Sequence, residues 1–168
     1  MERVAVFAGT FDPFTRGHED IARRALRLFD RVILAIGRHA GKQTLFPLES
    51  RMRIIRDVFD NEPRVTVDFY DGLTIDFCRT VGAGYLIRGL RSGTDFDYER
   101  TIAQANSMVN PEVETLFFVT RQEHAPITST VVRDILIHGG DTRAFLSDKI
   151  DLSRYPWNRP VGHTDSEQ

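Results

Sequence analysis

Val4-Ala5-Val6-Phe7-Ala8-Gly9-Thr10-Phe11-Asp12-Pro13-Phe14-Thr15-Arg16-Gly17-His18 decides the fold. An apolar run passes through a loop holding two glycines, Gly9 and Gly17, into a segment with helical periodicity. A near-continuous run of small and branched apolar residues fits a strand covered on both faces, as in parallel sheets flanked by helices. Where such a strand delivers the chain to a helix start, free N–H groups and the positive end of the helix dipole favour an anion. The stretch therefore reads as phosphate-handling architecture. It is not a Walker A loop, because no Gly-Lys-Ser/Thr follows, and it is not a G-x-G-x-x-G dinucleotide fingerprint.

Outward from this stretch, short apolar runs alternate with helix-period segments. Strands are expected at Arg3–Ala8, Arg31–Gly37, Arg64–Phe69, Tyr85–Arg88 and Thr115–Thr120. Ile21, Ala22, Ala25, Leu26 and Phe29 recur at helical spacing, with Glu19, Asp20, Arg23, Arg24 and Arg27 on the other face. Further helices are expected from Pro47 to about Phe59, from Leu73 to Val81, from about Asp97 to Val109 and from Thr128 to His138, the last ended by Gly139-Gly140. This order predicts an α/β fold: a Rossmann-like, doubly wound, parallel five-stranded sheet with helices on both faces. Residues 1–150 read as a single domain. Residues 151–168, with Pro156, Pro160 and a polar end, read as a peripheral, partly disordered tail that Tyr155 and Trp157 pin onto the body or a neighbouring subunit.

Composition limits the function. A chain of 168 residues, 41% hydrophobic and 27% charged, suits one globular domain with a real core. A formal charge of −2 disfavours a protein that coats nucleic acid. No apolar run reaches the roughly 18 residues of a membrane span and the first residues lack a signal-peptide pattern, so a cytoplasmic protein with no membrane partner is expected. Cys78 lies among Ile75, Phe77 and Val81 and reads as a small core residue rather than a reactive thiol. His39, His124, His138 and His163 have no metal-ligand spacing with one another or with Cys78, so a zinc site is not expected.

In open α/β sheets, ligands bind beyond the carboxyl ends of the strands, where strand order reverses. Polar clusters fall at five such ends: Gly9 to His18, Arg38 to Lys42, Asp71 to Thr74, Arg88 to Arg91, and Arg121 to Thr130. Together they predict a polyanion site. An isolated R-x-x-R is ordinary surface charge, but Arg88 and Arg91 flank Gly89 at a strand end, where arginine forks suit phosphate oxygens and the glycine lets backbone approach a ligand. Glu99 and Asn106 share a helix face, which spacing alone assigns to solvent or a subunit contact rather than to a ligand. Thr128-Ser129-Thr130, with Arg133 one turn on, gives hydroxyls and N–H donors at a helix start, or simply an N-cap. His18 beside Gly17 is read as a neutral N–H donor, its pKa lowered by the helix N-terminus, that steadies charge on a phosphoryl group. Asp12 either organises the loop or approaches a metal. No carboxylate cluster could hold magnesium through side chains alone, so Mg²⁺ is expected to arrive on phosphate oxygens and water. G-x-S-x-G is absent, and direct displacement at phosphorus is the chemistry that remains.

Gly9–His18 resembles the T/H-x-G-H signature of nucleotidyltransferases. With L-I-R-G-L-R at Leu86–Arg91, D-F-D-Y-E at Asp95–Glu99 and I-T-S-T-x-V-R at Ile127–Arg133, about 150 residues resemble the phosphopantetheine adenylyltransferase family. The resemblance implies ATP and 4′-phosphopantetheine as substrates, dephospho-coenzyme A and pyrophosphate as products, Mg²⁺, coenzyme A as a candidate inhibitor, and a homo-hexamer. It implies that Thr10, Lys42, Thr74 and Arg88 hold phosphopantetheine. It likewise implies that Thr10, Phe11, His18, Gly89, Leu90, Arg91, Glu99 and His124-Ala125-Pro126-Ile127-Thr128-Ser129-Thr130 hold ATP. His18 would stabilise the transition state, Lys42 and Arg88 would align the nucleophile, and Arg91 would meet the phosphate chain. The chain departs from the family at His124, where an aromatic is usual, at Thr74, where Leu or Met is frequent, and in its tail. The alternatives are a sibling nucleotidyltransferase with another acceptor, such as nicotinamide mononucleotide, and a non-catalytic nucleotide-binding module.

Overall fold

A computed structural model describes residues 2–38, 41 and 43–158. His39, Ala40, Lys42 and residues 159–168, on which several expectations fall, lie outside the described residues. Five strands, β1 (Val4–Gly9), β2 (Arg31–Gly37), β3 (Val65–Tyr70), β4 (Tyr85–Leu90) and β5 (Glu114–Val119), form one parallel sheet in the order β3-β2-β1-β4-β5. The doubly wound architecture is as the sequence predicts. β1 lies beside β2 on one side and β4 on the other, so strand order reverses between β1 and β4.

Alternation along the buried strands builds two cores. Ala5, Phe7, Val32, Leu34, Ile36 and Ile87 face one layer, while Val4, Val6, Ala8, Ile33, Ala35 and Leu86 face the other. The first layer is closed by α1 (Arg16–Ala25), α2 (Leu48–Val58) and α5 (Ser129–Ile137). The second is closed by α3 (Thr74–Thr80), which contributes Ile75 and the buried Cys78. Burial raises the Cys78 thiol to about 11, consistent with an inert core residue.

Element ends differ from expectation for local reasons. α4 (Gly93–Val109) begins a turn early because the Ser92 hydroxyl accepts the Asp95 N–H at 3.2 Å, a cap that outweighs the glycine behind it. α1 stops at Ala25, yet Phe29 in the following turn is still buried. α5 ends as read: Gly139 takes φ +74°, and the Gly140 N–H reaches back to the Ile135 carbonyl at 2.8 Å, the closing bond of a Schellman turn. In the tail's first half, Tyr155 is buried against the body and donates to Asp57 at 2.7 Å.

Candidate active site

A cleft opens at the β1/β4 reversal point, lined by the loop after β1, the end of β4 with α4, and the start of α5. The loop is braced from every side. Both carboxylate oxygens of the buried Asp12 accept backbone N–H groups, from Phe46 and Leu45, each at 2.8 Å. Arg51 on α2, also buried, donates to the carbonyls of Thr10 at 2.8 Å and Phe46 at 3.0 Å. From α5, Ser129 donates to the Pro13 carbonyl at 2.8 Å and Arg133 to the Asp12 carbonyl at 2.7 Å. Arg133 thus serves the loop backbone, and of the two roles open to Asp12 its hydrogen bonds match the organiser of the loop.

Phe11 sits at φ +48°, and its ring lies over Gly9, where an added Cβ would come within 2.8 Å of it. Gly9 therefore admits the ring that shapes the turn. Gly89 makes room in the same way, since a Cβ there would meet Ile21 of α1 at 2.6 Å. The missing side chain, read from sequence as room for a ligand, also leaves room for the end of the Ile21 side chain.

His18 occupies the third position of α1 in a reciprocal cap. Its Nδ1 accepts the Thr15 N–H at 3.0 Å, while the Thr15 hydroxyl accepts the His18 N–H at 3.5 Å. An Nδ1 that accepts a backbone N–H leaves the proton on Nε2, and the half-buried ring lines the cleft. Phe11 and Phe14 enclose it at ring distances of 5.0 and 5.4 Å. Burial, with Arg91 as a second influence, lowers its pKa to about 4. Neutrality is as expected, with burial first and a neighbouring cation second among its causes.

Arg88 is gripped by Glu99 through two bonds, Nε at 2.8 Å and Nη2 at 2.6 Å, and donates to the Ala8 carbonyl at 3.0 Å. Burial works against its charge, and the Glu99 carboxylate more than offsets this, so its pKa lies above the ordinary arginine value. Glu99 is thus a partner of Arg88 at the cleft wall, which helix spacing does not suggest. Arg91 lines the cleft from an exposed position, with Asp95 near its guanidinium at 3.6 Å.

Of the residues that the resemblance assigns to ATP, Phe11, His18, Gly89, Arg91, Glu99 and Ile127 to Thr130 line the cleft. Thr10, Leu90 and His124 to Pro126 do not; His124 lies against Gly17 on the flank, beside Arg16 and Glu19. The strand-end clusters do not all converge. Arg38 after β2 bonds Asp71 after β3 at 2.8 Å and stacks over Phe69, so those two ends pair with each other. Thr74 shares a 2.6 Å hydrogen bond with the Tyr70 hydroxyl, and Lys42 lies outside the described residues. Among the described residues no group of three or more His, Cys, Asp or Glu side chains could hold a metal ion.

A cytidylyltransferase-like family model matches residues 6–135. A phosphopantetheine adenylyltransferase of Cytophaga hutchinsonii is 46% identical over 150 residues, spanning 89% of this chain and 100% of its own. One from Christiangramia forsetii is 44% identical over 146 residues, 87% of this chain and 96% of its own. One from Acidovorax sp. is 47% identical over 144 residues, 86% of this chain and 87% of its own. Among solved structures, a bifunctional NMN adenylyltransferase/ADP ribose pyrophosphatase of Francisella tularensis, complexed with AMP and a manganese ion, superposes with a TM-score of 0.68 at 17% identity. That match covers 91% of this chain and 46% of the longer one, and at such identity it speaks for the fold.

Proposed function

The chain belongs to the phosphopantetheine adenylyltransferase family, and on that premise we propose how its site transfers an adenylyl group from ATP to 4′-phosphopantetheine, yielding dephospho-coenzyme A and pyrophosphate. It is a nucleotidyltransferase. A phosphate oxygen of phosphopantetheine attacks the α-phosphorus of ATP in line. The bond from that phosphorus to the bridging oxygen breaks and pyrophosphate leaves. Such a reaction asks the protein for alignment and for donors where charge grows.

The observation that carries this reading is the His18 ring, neutral by burial, oriented by Thr15 through Nδ1 and lining the cleft. His18 steadies the α-phosphoryl oxygens, and Arg91 meets the phosphate chain. Lys42 and Arg88 align the attacking phosphate, with Thr10 and Thr74 on the phosphopantetheine side. Phe11, Gly89, Leu90 and residues 124–130 serve ATP, while Glu99, given to ATP by the resemblance, acts through its hold on Arg88. The triphosphate carries its own neutralising magnesium, on phosphate oxygens and water, because Asp12, the loop's only carboxylate, has both oxygens on backbone amides.

α4 supports a homo-oligomer. None of its residues is buried, and Tyr98, Ile102 and Val109 form an exposed stripe at helical spacing. We take the assembly to be a homo-hexamer, with coenzyme A as an inhibitor and the cytoplasm as the site of action. No helix among the described residues is long and apolar enough to cross a membrane. The test is product formation by the purified chain from ATP with phosphopantetheine, nicotinamide mononucleotide or glycerol 3-phosphate. Dephospho-coenzyme A from the first alone is expected; preference for another acceptor would replace the substrate assignment, and no turnover with any would favour a binding module.

A further inference from the structure

The segment after the last 3-10 turn, residues 155–158, crosses α2 and ends on the stretch that holds Asp12. Tyr155 anchors it in the core and on Asp57. Ser50 donates to the Pro156 carbonyl at 2.7 Å, and Trp157 packs against the larger core. Asn158 then donates twice: its backbone N–H to the Leu45 carbonyl at 2.8 Å, and its side-chain amide to the Thr44 carbonyl at 3.2 Å. The N–H groups of Leu45 and Phe46 meet Asp12. Residues 44–46 are therefore clamped, the carbonyls of Thr44 and Leu45 held by the C-terminal strap and the amides of Leu45 and Phe46 by Asp12 in the loop that leads to His18.

We infer that Asn158 and Asp12 are positioning residues for the transfer reaction, the strap fixing residues 44–46 so that Asp12 holds the catalytic loop in its working shape. This rests on the proposed function for its effect on rate, but not for the clamp itself. A carboxylate accepts two backbone amides at good length only while those amides stay aligned. Residues 44–46 belong to no helix or strand, so Asn158, Arg51 and Thr44, whose hydroxyl donates to the Phe46 carbonyl at 2.9 Å, do the aligning. Misplacement of a catalytic group by about 1 Å can cost up to about 10²-fold in rate. An exposed asparagine remote from the cleft thereby acquires leverage on turnover.

The experiment uses the full chain. Asn158→Pro removes both donors to residues 44 and 45, and Asn158→Ala removes only the side-chain one. Asn158 is exposed, so both variants keep the core intact. Amide exchange at Leu45 and Phe46 should accelerate about tenfold in Asn158→Pro and less in Asn158→Ala. The His18 ring should titrate closer to its ordinary value in Asn158→Pro, and kcat should fall about tenfold with KM for ATP within about twofold. Unchanged exchange in Asn158→Pro overturns the clamp. Faster exchange with unchanged His18 titration and unchanged kcat overturns the positioning role. If the unsubstituted chain forms no dephospho-coenzyme A, the reaction assignment has failed instead, and exchange and ring titration still decide the strap.

Discussion

The Thr15 N–H donates to His18 Nδ1 at 3.0 Å, so one imidazole caps α1 and also lines the cleft. The two roles separate by substitution. His18→Ala should lower kcat about 10²–10³-fold and also destabilise the chain by about 1 kcal/mol through the lost cap. His18→Gln can rebuild the reciprocal cap, since glutamine suits that helix position. It should recover most of the stability while kcat stays low. Steady-state kinetics beside urea denaturation checks this, and near-normal turnover in either variant would leave His18 as a cap alone.

Acid should reveal the same residue. His18 titrates near 4 when folded and near 6.5 when unfolded, so between those values the unfolded chain binds the extra proton. Its contribution to stability is complete above pH 6.5 and declines as pH falls toward 4, by at most about 3 kcal/mol. Denaturation midpoints across this window should fall less steeply in His18→Gln. Nitrogen NMR of the ring should find the proton on Nε2 at pH 6, and a midpoint above 6 would contradict the burial argument.

Arg88 and Glu99 should behave as one unit. Arg88→Ala, like Lys42→Ala, is expected chiefly to raise KM for phosphopantetheine, and Arg91→Ala chiefly to raise KM for ATP. Glu99→Ala should reproduce much of the Arg88→Ala effect, because the guanidinium loses the carboxylate that orients it. The double variant should cost less than the sum of the singles. Additive losses would show that Glu99 acts independently of Arg88.

Magnesium should bind the free protein weakly. Calorimetry on the ligand-free chain is expected to find little Mg²⁺ binding at low-millimolar concentrations, and activity should follow the Mg·ATP complex. Asp12→Asn should lower stability and kcat through the loop. Loss of a measurable magnesium site in that variant would instead make Asp12 a ligand.

Ile102→Glu places a charge in the exposed stripe of α4 and should lower the mass observed by sedimentation while leaving far-UV dichroism unchanged. An unaltered mass would remove α4 from the interface.

The order of elements along the chain is legible in the sequence because several strands are apolar runs and each long helix carries a stripe or a cap. The braces are harder to see. Arg51 reads as a solvent-facing charge until its register is noticed: with Leu48, Ile55 and Val58 it shares the inward stripe of α2. Its carbonyl partner Thr10 lies 41 residues away, a separation that local pattern does not report. The spacing of Thr15 and His18 does carry a cap signal, disguised by histidine standing where glutamate or glutamine is usual. The pairing of Arg38 with Asp71 depends on β2 and β3 being neighbours, which composition cannot supply.

The contact between Gly9 and the Phe11 ring makes these two positions interdependent in any history of substitution. A side chain at 9 and a ring folded over it exclude each other in this loop shape. A change at 9 is viable only after the ring at 11 has been replaced or moved. Variation here must proceed in an ordered pair of steps, and libraries that vary each position alone will score as intolerant a site whose double replacements hold the viable alternatives.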